Sequence, residues 1–147
     1  MTPFEDIIRQ LGEKIGISLH VDAHQSCKLE FAGDIAVQID LDGSADRLLI
    51  GAKLGNLIPG PYRENLFKQA LIVNYLKNGQ VGILAFSEKN DQLILFGYLL
   101  LTTTVDILFE YLKGFTAHAL LWQEAIKRGE IPQIKEETKS SGIFGLR

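Results

Sequence analysis

The sequence predicts an α+β domain: a helix, a three-strand antiparallel meander, a second helix, a two-strand hairpin and a long C-terminal helix. Three observations carry this reading. Apolar residues recur at helical spacing in three separated stretches, and they alternate or run together in the segments between. Gly, Pro and Asp-Gly breaks fall where the period changes. Helices and strands come in segregated runs, the order expected of an antiparallel sheet with helices packed against it.

Taken in order, Thr2-Pro3-Phe4-Glu5 is a capping box, with Thr2 at the N-cap and Pro3 at the first helical position. Phe4, Ile7, Ile8, Leu11 and Ile15 form the stripe of the first helix, and Gly16 ends it. Ile17, Leu19 and Val21 alternate with polar residues and predict a short extended segment. Lys28–Phe31 alternates again, Gly33-Asp34 predicts a turn, and Ile35, Val37, Ile39 and Leu41 mark the next strand. Asp42-Gly43 predicts a tight hairpin returning through Leu48-Leu49-Ile50.

The stretch Leu48–Asn78 organises the rest. Gly60-Pro61 breaks the strand and starts the second helix; Asn78-Gly79 stops it, with Lys77 in the last turn. Leu66, Phe67, Ala70, Leu71, Ile72, Val73, Tyr75 and Leu76 cover more than the roughly 100° stripe that a one-sided surface helix needs. One face can lie on the chain's own sheet, and the surplus predicts a subunit interface. Val81–Phe86 and Leu93–Leu101 form the second hairpin around Glu88-Lys89-Asn90-Asp91. These strands are so apolar that both faces should be covered, by helices, by a second subunit, or by both. Thr104 caps the last helix, whose stripe runs Val105, Leu108, Phe109, Leu112, Phe115, Ala119, Trp122 and Ile126, ending before Gly129. The domain spans residues 1–129. Residues 130–147, polar except for a few positions such as Ile143, Phe144 and Leu146, predict a mobile tail.

A chain of 147 residues with 46% hydrophobic and 22% charged residues is one ordinary globular domain. Its net charge of -3, without a Lys/Arg-rich run, lacks the footprint of a nucleic-acid binder. Residues 1–46 hold nine Asp/Glu against three Lys/Arg, so the front end is acidic. The single cysteine, Cys27, excludes an internal disulfide and points to a reducing compartment. The N-terminus lacks a basic region followed by an apolar core, which predicts no signal peptide, and Leu93–Leu101 is too short to span a bilayer as a helix. The expected location is the cytoplasm.

Candidate chemistry is thin. His20, Asp22, His24 and Cys27 are possible ligands but lack the paired spacing of a zinc site, and no metal is expected. Asp40–Asp46 has its glycine two positions early for a calcium loop, and Gly51 stands where the bidentate Glu belongs. Gly55–Gly60 has phosphate-loop spacing without the Lys and Ser/Thr that must follow. No cofactor is expected. Cys27 has no orienting third group or oxyanion hole, and His118 reads as a structural residue on the flank of the last helix. The chain reads as a non-enzyme.

The ordered set Cys27-x-Leu29, Val37-Gln38-Ile39, Leu54-Gly55-Asn56-Leu57-Ile58-Pro59, Ala70-Leu71-x-x-Asn74, Gly82-Ile83-Leu84, Leu93-Ile94-Leu95, Phe115 and Trp122 resembles the class I type III secretion chaperones that serve effectors, the CesT/SycE-like family. It spans residues 4 to 128. The resemblance implies an ATP-independent dimer of the bacterial cytoplasm that binds the N-terminal segment of a secreted effector and keeps it extended. It implies a homodimer, or a heterodimer with a related chaperone, built around the second helix; Leu66, Phe67, Ala70, Leu71, Val73, Asn74 and Leu76 are the interface candidates. Effector-binding pockets are expected near the first helix and first sheet, at Ile7, Leu11, Ile17, Leu19, Leu29, Phe31, Val37 and Ile39, with a receiving strand edge within residues 17–31. The alternative is a dimeric regulatory scaffold of the roadblock or longin kind, which binds folded partners and begins with a different helix–strand arrangement.

Overall fold

A computed structural model describes residues 1–31, 34–44 and 46–133. The tail beyond Gln133 and the glycine of the Gly33-Asp34 turn lie outside the described residues. The elements are α1 (Pro3–Ile15), β1 (Ser26–Phe31), β2 (Ile35–Asp42), β3 (Arg47–Asn56), α2 (Pro61–Leu76), β4 (Ile83–Ser87), β5 (Gln92–Leu100) and α3 (Val105–Arg128). This is the α+β order expected from the sequence. All five strands join one antiparallel sheet in the order β1-β2-β3-β5-β4.

The helix ends follow from local chemistry. Thr2 Oγ1 accepts the Glu5 N–H at 3.1 Å, and its hydroxyl donates to the Glu5 carboxylate at 3.0 Å. Gly16 closes α1 in the left-handed region. Thr104 Oγ1 accepts from the Ile107 N–H, and Gly129 closes α3. The stop of α2 differs from the expectation: the helix ends at Leu76, and Lys77 and Asn78 both take positive φ. Lys77 therefore lies beyond the last turn, where its Nζ donates to the Gly82 carbonyl at 3.2 Å.

Residues 17–22 also depart from the expected extended segment. The Ile17 N–H bonds back to the Gly12 carbonyl at 3.0 Å, and the chain passes so close to α1 that a Cβ on Gly12 would clash with the Ile17 carbonyl. The Asp22 carboxylate then accepts the N–H groups of His24 and Ser26, a local turn that competes with strand formation. Pairing starts only at Ser26.

Alternation along each strand separates two faces. Inward-facing Leu29, Val37, Ile39, Leu48, Ile50, Leu84, Leu93 and Leu95 are buried and form one core with all three helices. Trp122, Phe4 and Phe115 are the largest side chains in it. The long helix α3 lies across β3 and β2, α1 packs on α3, and α2 packs beside β4. Gly97 permits the close approach of α3: a Cβ there would collide with the Tyr111 hydroxyl. Residues 130–133 run back against α2, with Tyr62 Oη donating to the Glu130 carbonyl and Gln69 Nε2 to the Pro132 carbonyl, each at 2.8 Å.

Candidate functional site

A five-stranded open sheet has two edges, and this chain treats them differently. On β4 the Asn74 side chain accepts the Leu84 N–H and donates to the Leu84 carbonyl, both at 2.8 Å. One amide thus does for Leu84 what a neighbouring strand would do, and α2 packs beside that strand. No strand covers the outer side of β1 among the described residues. Asn74→Ala should leave the Leu84 N–H and C=O unpaired and cost about 1–3 kcal/mol in urea denaturation; an unchanged midpoint would mean water replaces the amide without loss.

Beside the open β1 edge lies a pocket of about 360 Å³. Leu11 and Ile15 of α1, Ile17, Phe31 of β1, and Phe109 and Leu112 of α3 supply its apolar lining. The Nζ atoms of Lys14 and Lys113 sit 5.3 and 5.1 Å from the Phe109 ring centre, and each also pairs with a carboxylate, Lys14 with Asp106 at 2.8 Å and Lys113 with Glu110 at 2.9 Å. Glu30, on the same strand as Phe31, adds one carboxylate.

The outer face of the sheet is the second surface. No helix of the described chain covers it, and Leu100, Tyr98 and Ile83 are 67%, 40% and 40% exposed. Cross-strand rows run Lys28–Gln38–Gly51–Phe96–Ile83 and Ser26–Asp40–Leu49–Tyr98. Small residues in the middle, Ala36 and Gly51, form the floor of a groove of about 740 Å³ between a polar wall on β1 and an aromatic wall on β5. Gly51 has no positive φ, and a Cβ there would meet only the Leu95 carbonyl at 3.8 Å. The backbone does not require glycine at this position; its smallness keeps the groove open. At the far end the Arg47 guanidinium stacks 3.9 Å from the Tyr98 ring centre and pairs with Asp42 at 3.0 Å. Hydrogen bonds from Ser44 and Arg47 hold the Asp42 carboxyl below the usual carboxylate range.

Of the eight pocket residues expected from the sequence, Leu11, Ile17 and Phe31 meet in the β1-side pocket. Ile17 and Leu19 also line a shallow cleft against Arg9 and Gly16. Ile17 is 49% exposed, whereas Ile7, Leu11, Leu29, Val37 and Ile39 are buried in the core. The structure adds Phe109, Lys113, Phe96, Tyr98 and Gly51. The sequence signal for the β5 residues is the two-sided apolarity of the second hairpin; Phe109 carries no signal separate from the α3 stripe, and Lys113 lies outside that stripe. Among the interface candidates, Leu66, Ala70 and Val73 are buried against the chain's own sheet. Phe67 packs on Phe86 with ring centres 5.0 Å apart, and Asn74 holds β4. Leu76 is half-buried and Leu71 is 69% exposed. Ile72 and Tyr75 extend that outward face.

The residues that carry possible chemistry are dispersed. Cys27 is buried and its thiol is pushed up by desolvation, with the Asp22 charge adding to it. His24 is exposed, and Asp22 is engaged in its turn. Among the described residues, no group of three or more His, Cys, Asp or Glu could hold a metal ion, and no helix is long and apolar enough to cross a membrane. His118 lies inside the protein, 1% exposed, and not on the flank of α3.

A capped leading helix, a three-strand meander and an open edge beside apolar pockets define a fold of the secretion-chaperone type. The chain belongs to the Tir chaperone protein (CesT) family, whose model matches residues 6–123. Solved structures agree on the fold. A chain of the HopA1–SchA chaperone–effector complex is 20% identical with a TM-score of 0.69, covering 84% of this chain and 94% of that one. A chain of the ExsC–ExsE complex is 23% identical with a TM-score of 0.68, covering 81% and 90%. The structure of the Yersinia pestis type III secretion chaperone SycH with a fragment of YscM2 is 13% identical with a TM-score of 0.61, covering 81% and 98%. No curated protein sequence matches the chain. Family and fold place it among the class I type III secretion chaperones.

Proposed function

We propose that this chain is a dimeric, ATP-independent chaperone of the bacterial cytoplasm. It binds the N-terminal segment of a secreted effector, keeps that segment extended for export and catalyses no reaction. The observation that carries this reading is the open β1 edge lying directly beside a pocket lined by Leu11, Ile17, Phe31 and Phe109. An extended segment added to β1 forms main-chain hydrogen bonds and sends alternate side chains towards that pocket, giving affinity and selectivity together. The bare outer groove offers a second apolar surface for the continuing segment. Dimerisation uses the outward α2 face around Leu71 and Ile72, which supports one two-fold interface with Tyr75 at its margin.

Two variants test the placement, measured by calorimetric titration with the effector segment that copurifies with the chain. Phe31→Asp places a charge at the β1-side pocket, and Gly51→Leu fills the outer groove without backbone strain. Each should weaken binding by about tenfold or more, about 1.4 kcal/mol, while the circular dichroism spectrum and dimer mass stay unchanged. Full affinity in both folded variants would remove these surfaces from the binding site.

A further inference from the structure

A cavity of about 300 Å³ lies at the C-terminal end of α2, away from the β1 edge and the outer sheet face. Val73 and Leu76 of α2, Leu121 and Trp122 of α3, and Pro132 supply its apolar walls. His118 is part of its lining and is 1% exposed. The His118 Nδ1 lies 2.7 Å from the Val81 carbonyl oxygen. A carbonyl only accepts, so that nitrogen carries the proton and Nε2 is left as an acceptor. Nε2 is buried and has no hydrogen-bond partner among the described residues. Desolvation lowers the pKa of this imidazole and Lys77 pushes the same way, against the Val81 contact, so the ring is neutral at pH 7. Buried side-chain acceptors without a partner are rare in folded proteins, and one in the lining of a cavity asks for a donor to fill it.

The walls restrict what that donor is. Lys77 is the one charged side chain among the described lining residues, so a cationic donor is repelled, while an anion brings no proton to Nε2. Apolar walls that include the Trp122 indole favour a flat aromatic body. The volume is at the low end of the roughly 300–1,000 Å³ range of small-ligand sites. We propose that this cavity binds a neutral aromatic ring carrying one N–H or O–H, of the indole or phenol kind, which donates to His118 Nε2. The ring can belong to a free small molecule or to a tryptophan or tyrosine of a protein. The site stands apart from the effector-binding surfaces and does not depend on them.

The test titrates the full chain, labelled with 15N at histidine, with indole, 1-methylindole and N-acetyltryptophanamide, and follows the His118 Nε2 resonance. Indole should shift it saturably. 1-Methylindole, which has the shape without the donor, should bind at least fivefold more weakly. His118→Phe keeps an aromatic ring and removes the acceptor, so indole affinity should fall by at least as much. Leu121→Trp fills the cavity from a position 46% exposed and should abolish the shift while the folded spectrum persists. A response to N-acetyltryptophanamide as well as indole identifies a ring borne on a polypeptide; a response to indole alone identifies a free small molecule. An unmoved Nε2 resonance, or equal affinity for indole and 1-methylindole, overturns the proposal and leaves water as the partner of Nε2.

Discussion

Trp122→Ala is expected to lower the unfolding free energy by about 3–5 kcal/mol, a large share of the roughly 5–15 kcal/mol that holds a domain of this size. Trp122 is 1% exposed and belongs to the core that α3 shares with the sheet. It also walls the cavity beside His118, so truncation enlarges an existing void and the surroundings have little to collapse onto. The loss should therefore fall in the upper half of the range. Urea denaturation followed by far-ultraviolet circular dichroism measures it. Leu121→Ala, one residue away but 46% exposed, serves as the comparison and should cost less than about 1 kcal/mol. Similar losses for the two variants would mean that α3 is not the central support of the core.

Leu71→Asp combined with Ile72→Asp is expected to convert the proposed dimer to a monomer, halving the mass read by light scattering. These side chains are 69% and 45% exposed in the single chain, whereas Leu66, Ala70 and Val73 of the same helix face its own sheet. Two carboxylates at the centre of an apolar two-fold contact meet their own copies, so four charges gather where none can leave water cheaply. The monomer itself keeps its core, and its circular dichroism spectrum should be retained. A variant that stays dimeric would move the interface to the outer sheet face, around Tyr98 and Leu100. A wild-type chain that is monomeric alone would point to a heterodimer with a related chaperone.

The elements were legible because each is written in local chemistry. Thr2 and Thr104 cap their helices, Gly16 and Gly129 end them, and Asp42-Gly43 turns the hairpin. Where the reading went astray, a contact distant from the pattern decided the outcome. Ile17, Leu19 and Val21 alternate like a strand, yet the return to Gly12 and the Asp22 turn hold them out of the sheet. Lys77 sits where a last-turn cation belongs, yet positive φ removes it from the helix. The site was less legible than the fold. Periodicity marks a residue as apolar but does not say whether the surface it seeks belongs to its own chain. Ile39 and Ile17 look alike in the sequence and end at 0% and 49% exposure. Asn74 shows how little spacing reveals about a polar residue: it lies among interface candidates, and its amide is spent on Leu84.

The unequal edges of the sheet set a valence. Strand addition normally regenerates the edge that it consumes, which is how open sheets propagate into fibres. Here Asn74 takes the Leu84 N–H and C=O at one terminus of the sheet, and α2 packs beside that strand, so a guest strand finds fewer free groups there. Under the proposed function each subunit accepts one guest strand, at β1, and a two-fold dimer would present two such places. A protein whose task is to hold unfolded chains without polymerising with them gains from such an asymmetry, and a single asparagine on the second helix contributes to it.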